Sequence, residues 1–195
     1  MRGRVNMTID SSLQNFIETF QKSKRSMGIM SYSEENLGCS NHDIPLHGDM
    51  LYFYEHTILE DKPTFGGDFF IQIIEMYDLG NIQSGWLIPN GTNDWDKNYV
   101  IFAERNGDVL FCDVLDDNSA VYGSVQKKVY KLTNTLGDFF DTYSALIELE
   151  ESEFECDTTD DDFNYKNEYL LRVKEVLSNN LPTELVDNYM YFFFG

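Results

Sequence analysis

The stretch Tyr99-Val100-Ile101-Phe102-Ala103-Glu104-Arg105-Asn106-Gly107-Asp108-Val109-Leu110-Phe111-Cys112-Asp113-Val114 decides the fold class. Two apolar runs, Val100-Ile101-Phe102-Ala103 and Val109-Leu110-Phe111-Cys112, flank an Asn-Gly pair. Asn106 and Gly107 are residue types that tolerate the positive φ angles of a type I′ turn, so the stretch predicts a β-hairpin. Downstream, residues 121–125 and 128–132 read as further strands. Asn134 or Thr135 then caps a helix whose apolar stripe is Leu136, Phe139, Phe140, Tyr143 and Ile147.

Upstream, Ser11 or Ser12 caps a first helix with Leu13, Phe16, Ile17 and Phe20 on one face. Lys22, Lys24 and Arg25 lie near its end, where cations suit the helix dipole. Residues 23–43 are polar, contain Gly28 and Gly38, and read as mostly loop. Pro45 opens a second helix with Met50, Phe53, Tyr54, Thr57 and Ile58 on one face. Pro63 and Gly66-Gly67 break the chain, and residues 69–77 read as a strand. Gly80, Gly85 and Pro89-Asn90-Gly91 punctuate the approach to the hairpin, around a short apolar stretch, Trp86-Leu87-Ile88.

Beyond the last of these helices the composition changes. Residues 148–162 hold nine acids and no base, a run that repels itself and reads as a solvated loop or an interaction segment. Tyr169, Leu170, Val173 and Leu177 mark one further helix. Leu185, Tyr189 and Phe192 mark another, with Pro182 between the two. The tail Tyr191-Phe192-Phe193-Phe194 is too apolar to hang free and packs on the domain or on a partner. Strands grouped between helices and joined by tight turns predict an α+β fold: a mainly antiparallel sheet of about four to six strands packed with N-terminal and C-terminal helices. The expected division is an α+β domain over residues 1–147, an acidic loop over 148–164 and a helical extension over 165–195.

Length and composition bound the function. The chain has 195 residues, 42% of them hydrophobic and 15% aromatic, enough for a folded core. The formal charge of −20 repels phosphate backbones and anionic membranes, so nucleic acid is not expected as a direct partner and a cationic protein is favoured. Solubility alone is the plainer account of such a charge. Cys39, Cys112 and Cys156 are odd in number and lack C-x-x-C spacing, which fits reduced thiols in the cytoplasm. No apolar run approaches the roughly 18 residues that span a membrane. Residues 1–7 carry two arginines without a following apolar segment, unlike a signal peptide. Translation from Met7 is equally consistent, and residues 1–6 are expected to be loose.

Chemical motifs are sparse. His42 and His47 flank Ile44-Pro45 near Cys39 and Asp43, but their spacing across a proline is not a helical pair and no second cluster completes a metal site. Residues 157–168 imitate a calcium loop, yet Asp162 stands where the loop needs glycine. Gly80 and Gly85 have P-loop spacing, but Trp86-Leu87 replaces the phosphate-binding Lys-Ser/Thr. There is no G-x-S-x-G elbow. No cofactor, no metal and no catalytic residue is expected.

In order and spacing, the motifs over about residues 9 to 149 resemble the SUKH superfamily, which includes yeast cell-wall-assembly regulators and bacterial toxin-immunity proteins. The resemblance is carried by the first amphipathic helix, Ile44-Pro45-Leu46 before Phe53-Tyr54, Gly66-Gly67 before a strand, and Trp86 or Trp95 ahead of the hairpin. The closest match is residues 100–108 followed by Val121-Tyr122-Gly123, then Leu136-Gly137-Asp138-Phe139-Phe140. Ile-Pro stands where Leu-Pro is usual, and the acidic block and the residues beyond it have no counterpart in the family core. The resemblance implies a bacterial, non-catalytic binding protein: an immunity protein neutralising a cognate toxin, such as a nuclease with a basic cleft. The alternatives are a regulatory or scaffold protein without a toxin, and an enzyme of unrecognised type. The residues expected to touch a partner are Asp94, Trp95 and Asp96 in one loop, and Glu151, Glu153, Asp160, Asp161 and Asp162 in the acidic block. Ordinary loop packing and a solvated linker are the plainer readings of these two segments.

Overall fold

The computed structural model describes residues 8–38, 44, 46–86, 95–96 and 98–195. The expectations for residues 1–6, Cys39, His42, Asp43, Pro45, the 87–91 segment and Asp94 lie outside the described residues.

The fold is α+β. Helix α1 (Ile9–Lys22) is capped not by Ser11 or Ser12, which lie inside its first turn, but by Thr8, whose side chain accepts from the Ser11 N–H. It leads to strand β1 (Met27–Tyr32), then helix α2 (Gly48–His56) and strands β2 (Thr57–Phe65) and β3 (Ile71–Ile73). Helix α3 (Leu79–Trp86) precedes four strands, β4 (Tyr99–Arg105), β5 (Asp108–Asp113), β6 (Val121–Val125) and β7 (Lys128–Lys131). Helices α4 (Leu136–Glu148), α5 (Asn167–Asn180) and α6 (Thr183–Phe194) close the chain. The strands form one seven-stranded sheet in sequential order, antiparallel at every pairing.

The hairpin lies where its turn chemistry placed it. Asn106 and Gly107 have φ of 51° and 94°, and Arg105 faces Asp108 across the turn. The helix after β7 starts at Thr135, whose Oγ1 accepts from the Asp138 N–H at 2.9 Å.

Other expectations need correction. The sheet has seven strands rather than about four to six, because β1 forms within residues read as loop and β2 starts at Thr57 and Ile58, read as the end of the second helix, and runs through the expected break. Pro63 does not break the chain. It sits in a bulge of β2 where Asp61 and Lys62 take positive φ and the pairing with β1 jumps from Glu60 to Thr64. A bulge near a sheet edge is where proline is tolerated, since its missing N–H is not needed by the ladder. The expected 69–77 strand shrinks to β3, followed by a short 3-10 turn. Gly80 and Gly85 lie inside α3 rather than in a loop.

A single core joins the N- and C-terminal helices to one face of the sheet. Phe16 stacks on Phe140 at 4.6 Å and packs against Phe65 at 5.0 Å, which ties α1, α4 and β2 together. The C-terminal helices share this core: Tyr169, Val173, Leu177, Tyr189, Phe192 and Phe193 are all buried in it. The aromatic tail therefore packs on its own domain. Arg105 anchors it by donating from Nη2 to the Phe193 carbonyl at 2.7 Å and from Nη1 to the Phe70 carbonyl at 3.3 Å. Its guanidinium also lies 5.1 Å from the centre of the Phe193 ring.

The residues expected to form an acidic loop begin inside helical structure. A π-helical turn, Leu149–Glu153, continues α4, and a bridge between Thr159 and Tyr165 closes the excursion that follows.

Candidate interaction surface

Side chains alternate across a strand, so the central strands offer a second face opposite the main core. Ile101, Phe111, Tyr122 and Lys131 are successive cross-strand partners, and Tyr99 pairs with Asp113. Ile101, Val109 and Phe111 are buried there as a small separate cluster, packed beneath Ile82, Trp86, Trp95, Tyr99 and Tyr122. Helix α3 is tied to this face by one buried side chain. Gln83 donates from Nε2 to the Ile101 carbonyl at 3.0 Å and accepts the Ile101 N–H at 3.1 Å. Beside the irregularity in β4, it occupies both backbone groups as a neighbouring strand would.

The rings form a continuous shelf. Trp95 lies 4.8 Å from Trp86, 4.7 Å from Phe111 and 5.5 Å, edge-on, from Tyr99. Phe111 in turn stacks on Tyr122 at 5.4 Å and packs on Tyr99 at 4.7 Å. Phe111 is fully buried, whereas Trp86, Trp95, Tyr99 and Tyr122 are half-buried and keep part of their surface in water. Carboxylates rim the shelf. Burial and then the charges of Asp113 and Asp96 push the Tyr99 hydroxyl above its ordinary range. Burial, with Asp113 next, does the same to Tyr122. Asp96 is fixed by accepting from the Asn98 N–H at 2.9 Å, and Asp113 by accepting from the Leu115 N–H at 3.0 Å. Aromatic surface beside fixed carboxylates can bind a cation by ring quadrupole and charge together.

No family model, curated protein or solved structure matches this chain. The site is therefore read from its own chemistry.

Of the residues expected to touch a partner, Trp95 and Asp96 belong to this shelf. Those of the acidic block lie with the helical layer instead, and most of them serve the chain itself. Glu151 accepts from Ser23 Oγ, and Glu153 accepts from Arg172 Nε at 2.7 Å and Nη2 at 2.9 Å. Asp160 Oδ1 accepts the N–H groups of Asp162 and Asn164 at 2.9 and 3.0 Å, which shapes a turn. Asp161 and Asp162 are exposed. The sequence reading passed over Tyr99, Phe111, Tyr122 and Asp113 as site residues. The turn alone could not have found them: counted from Arg105 opposite Asp108, residue 101 would pair with 112, and only the irregularity between Ile101 and Ala103 brings Ile101 opposite Phe111 and Tyr99 opposite Asp113.

Two polar clusters lie elsewhere. Glu150 is buried at 1% exposure, 2.6 Å from Arg25 Nη1, and accepts the Asp68 N–H at 3.2 Å. Burial, followed by the nearby charge of Asp68, raises its carboxyl to about 7. Its depth makes it an internal fastening. The second cluster is Asp10 Oδ1, which accepts from the Tyr32 and Tyr52 hydroxyls at 2.7 and 2.9 Å. Those bonds lower the Asp10 carboxyl and pin α1 to β1 and α2. His56 packs at a tilt against Tyr52 at 4.3 Å and donates from Nδ1 to the Ser33 carbonyl at 2.9 Å. His47 Nδ1 stands 2.9 Å from Asp117 Oδ1. Among the described residues, no helix is long and apolar enough to cross a membrane.

Proposed function

We propose that this protein is a non-catalytic binding module for a basic protein, and that it acts as an immunity protein neutralising a cognate toxin. The observation that carries the first part is the half-buried aromatic shelf rimmed by Asp96 and Asp113, in a chain of net charge −20. Aromatic anchors supply contact area at low entropic cost, while the surrounding negative potential steers a cationic partner to them. The second part rests on the SUKH resemblance of the motif order, which implies an α+β domain of this kind and a toxin partner. A nuclease toxin suits the charge, because a phosphate-binding cleft is basic and an acidic inhibitor covers it.

The test is affinity capture from the source cells at low and moderate salt, with bound proteins identified by mass. A single basic protein, released as salt rises and inhibited by the purified chain, is the expected result. Failure to capture any partner at either salt, in cells that express the neighbouring genes, would overturn the proposal.

A further inference from the structure

We propose that the aromatic shelf is a seat for an arginine side chain of the cationic partner, the guanidinium packed against the half-buried, mutually perpendicular rings of Trp95 and Tyr99 with its N–H donors turned to Asp96 and Asp113. This deepens the protein-binding reading above and rests on it. Three observations favour arginine. The shelf offers half-buried rings, Trp86 and Tyr99, in contact with Trp95 at 4.8 and 5.5 Å. Two acidic residues flank Tyr99: Asp113 is its strand partner, and the Tyr99 N–H donates to the Asp96 carbonyl at 3.0 Å. The shelf also has a polarity: Lys131 is the strand partner of Tyr122, so the cation-accepting end is the one where Tyr99 pairs with Asp113.

A guanidinium is planar, weakly hydrated and able to stack while donating in plane to a carboxylate. A lysine ammonium is a compact, strongly hydrated charge that gains less from a flat ring. A second copy of this chain would bring another −20 charges against the first, which disfavours self-association through an acidic rim.

The experiment exploits a feature of the sequence. The chain has two tryptophans, Trp86 and Trp95, and both lie in the shelf, so intrinsic tryptophan emission reports this surface. The full chain is titrated at low salt with a capped Gly-Arg-Gly-Arg-Gly peptide and with its lysine counterpart. A saturable emission change with the arginine peptide is expected, with the lysine peptide weaker by about fivefold. Asp113→Asn keeps side-chain size and the bond to the Leu115 N–H, and should weaken the arginine peptide to a similar extent. Asp96→Asn, at an exposed position, provides the same test if the first variant melts early. Asp161→Asn combined with Asp162→Asn, in the acidic block, should leave the titration unchanged.

Equal response to the two peptides, no response, or a loss confined to the acidic-block variant would each overturn the arginine seat. The two proposals fail separately. A partner captured equally by wild type and Asp113→Asn leaves the binding reading standing and removes the seat. A positive titration with no captured partner does the reverse.

Discussion

Glu150, in the middle of an acidic run, is buried at 1% exposure and meets Arg25 Nη1 at 2.6 Å across 125 positions of sequence. The π-helical turn at the end of α4 swings this side chain inward, and Gly67 leaves room for it: a Cβ there would overlap the carboxylate. Widened helical turns of this kind re-aim a side chain at the cost of helix regularity.

The Glu150 carboxyl makes stability depend on pH. Its folded value, about 7, lies above the ordinary 4.5 because burial, and then Asp68, disfavour the charged form. The native state therefore holds this proton more tightly than the unfolded chain does. The resulting stability is fully present below the ordinary glutamate value and is lost as pH rises through about 7. Glu150→Gln removes the charge and keeps an acceptor for Arg25 and the Asp68 N–H. Thermal melts from pH 5 to 8 should show the variant gaining on wild type as pH rises, by an amount on the order of 3 kcal/mol at most. A pH-independent difference would contradict this.

The C-terminal helices should prove inseparable from the core. Ending the chain after Ile147 removes Tyr169, Tyr189 and Phe193, all buried, and should abolish cooperative unfolding by circular dichroism. Arg105→Ala is the milder version. It releases the Phe193 carbonyl and the ring beneath the guanidinium, at about 2–3 kcal/mol in a urea titration.

Gln83 substitutes for a strand at Ile101, so Gln83→Ala should leave a buried N–H and carbonyl without that partner. The expected cost is about 2–4 kcal/mol. Hydrogen exchange at the Ile101 amide should accelerate more than at Phe111.

Gly123 shows tight packing between β6 and α6, since a Cβ at this position would enter the Phe192 ring. Gly123→Ala is expected to destabilise by about 1–3 kcal/mol. Combining it with Phe192→Leu should cost less than the sum of the two single changes, because the residues share one space. Additive costs from chemical denaturation would show that the clash is relieved elsewhere.

Local signals determined much of the fold from sequence. The Asn106-Gly107 turn, the β6 and β7 spans, the apolar stripes of α1 and α4 and the helices either side of Pro182 are all set by neighbours within a few residues. Turn φ angles, capping and periodicity need no distant partner. The candidate surface was legible only at Trp95 and Asp96. Tertiary structure alone decided the rest. Strand β1 and the Pro63 bulge exist because each is the other's pairing partner, and α3 keeps two glycines because Gln83 ties it to β4. Glu150 reads as a solvated acid among acids, and only Arg25, Gly67 and Asp68, brought from far along the chain, make it a buried one. A charge is placed inside a protein by partners that sequence neighbours do not reveal.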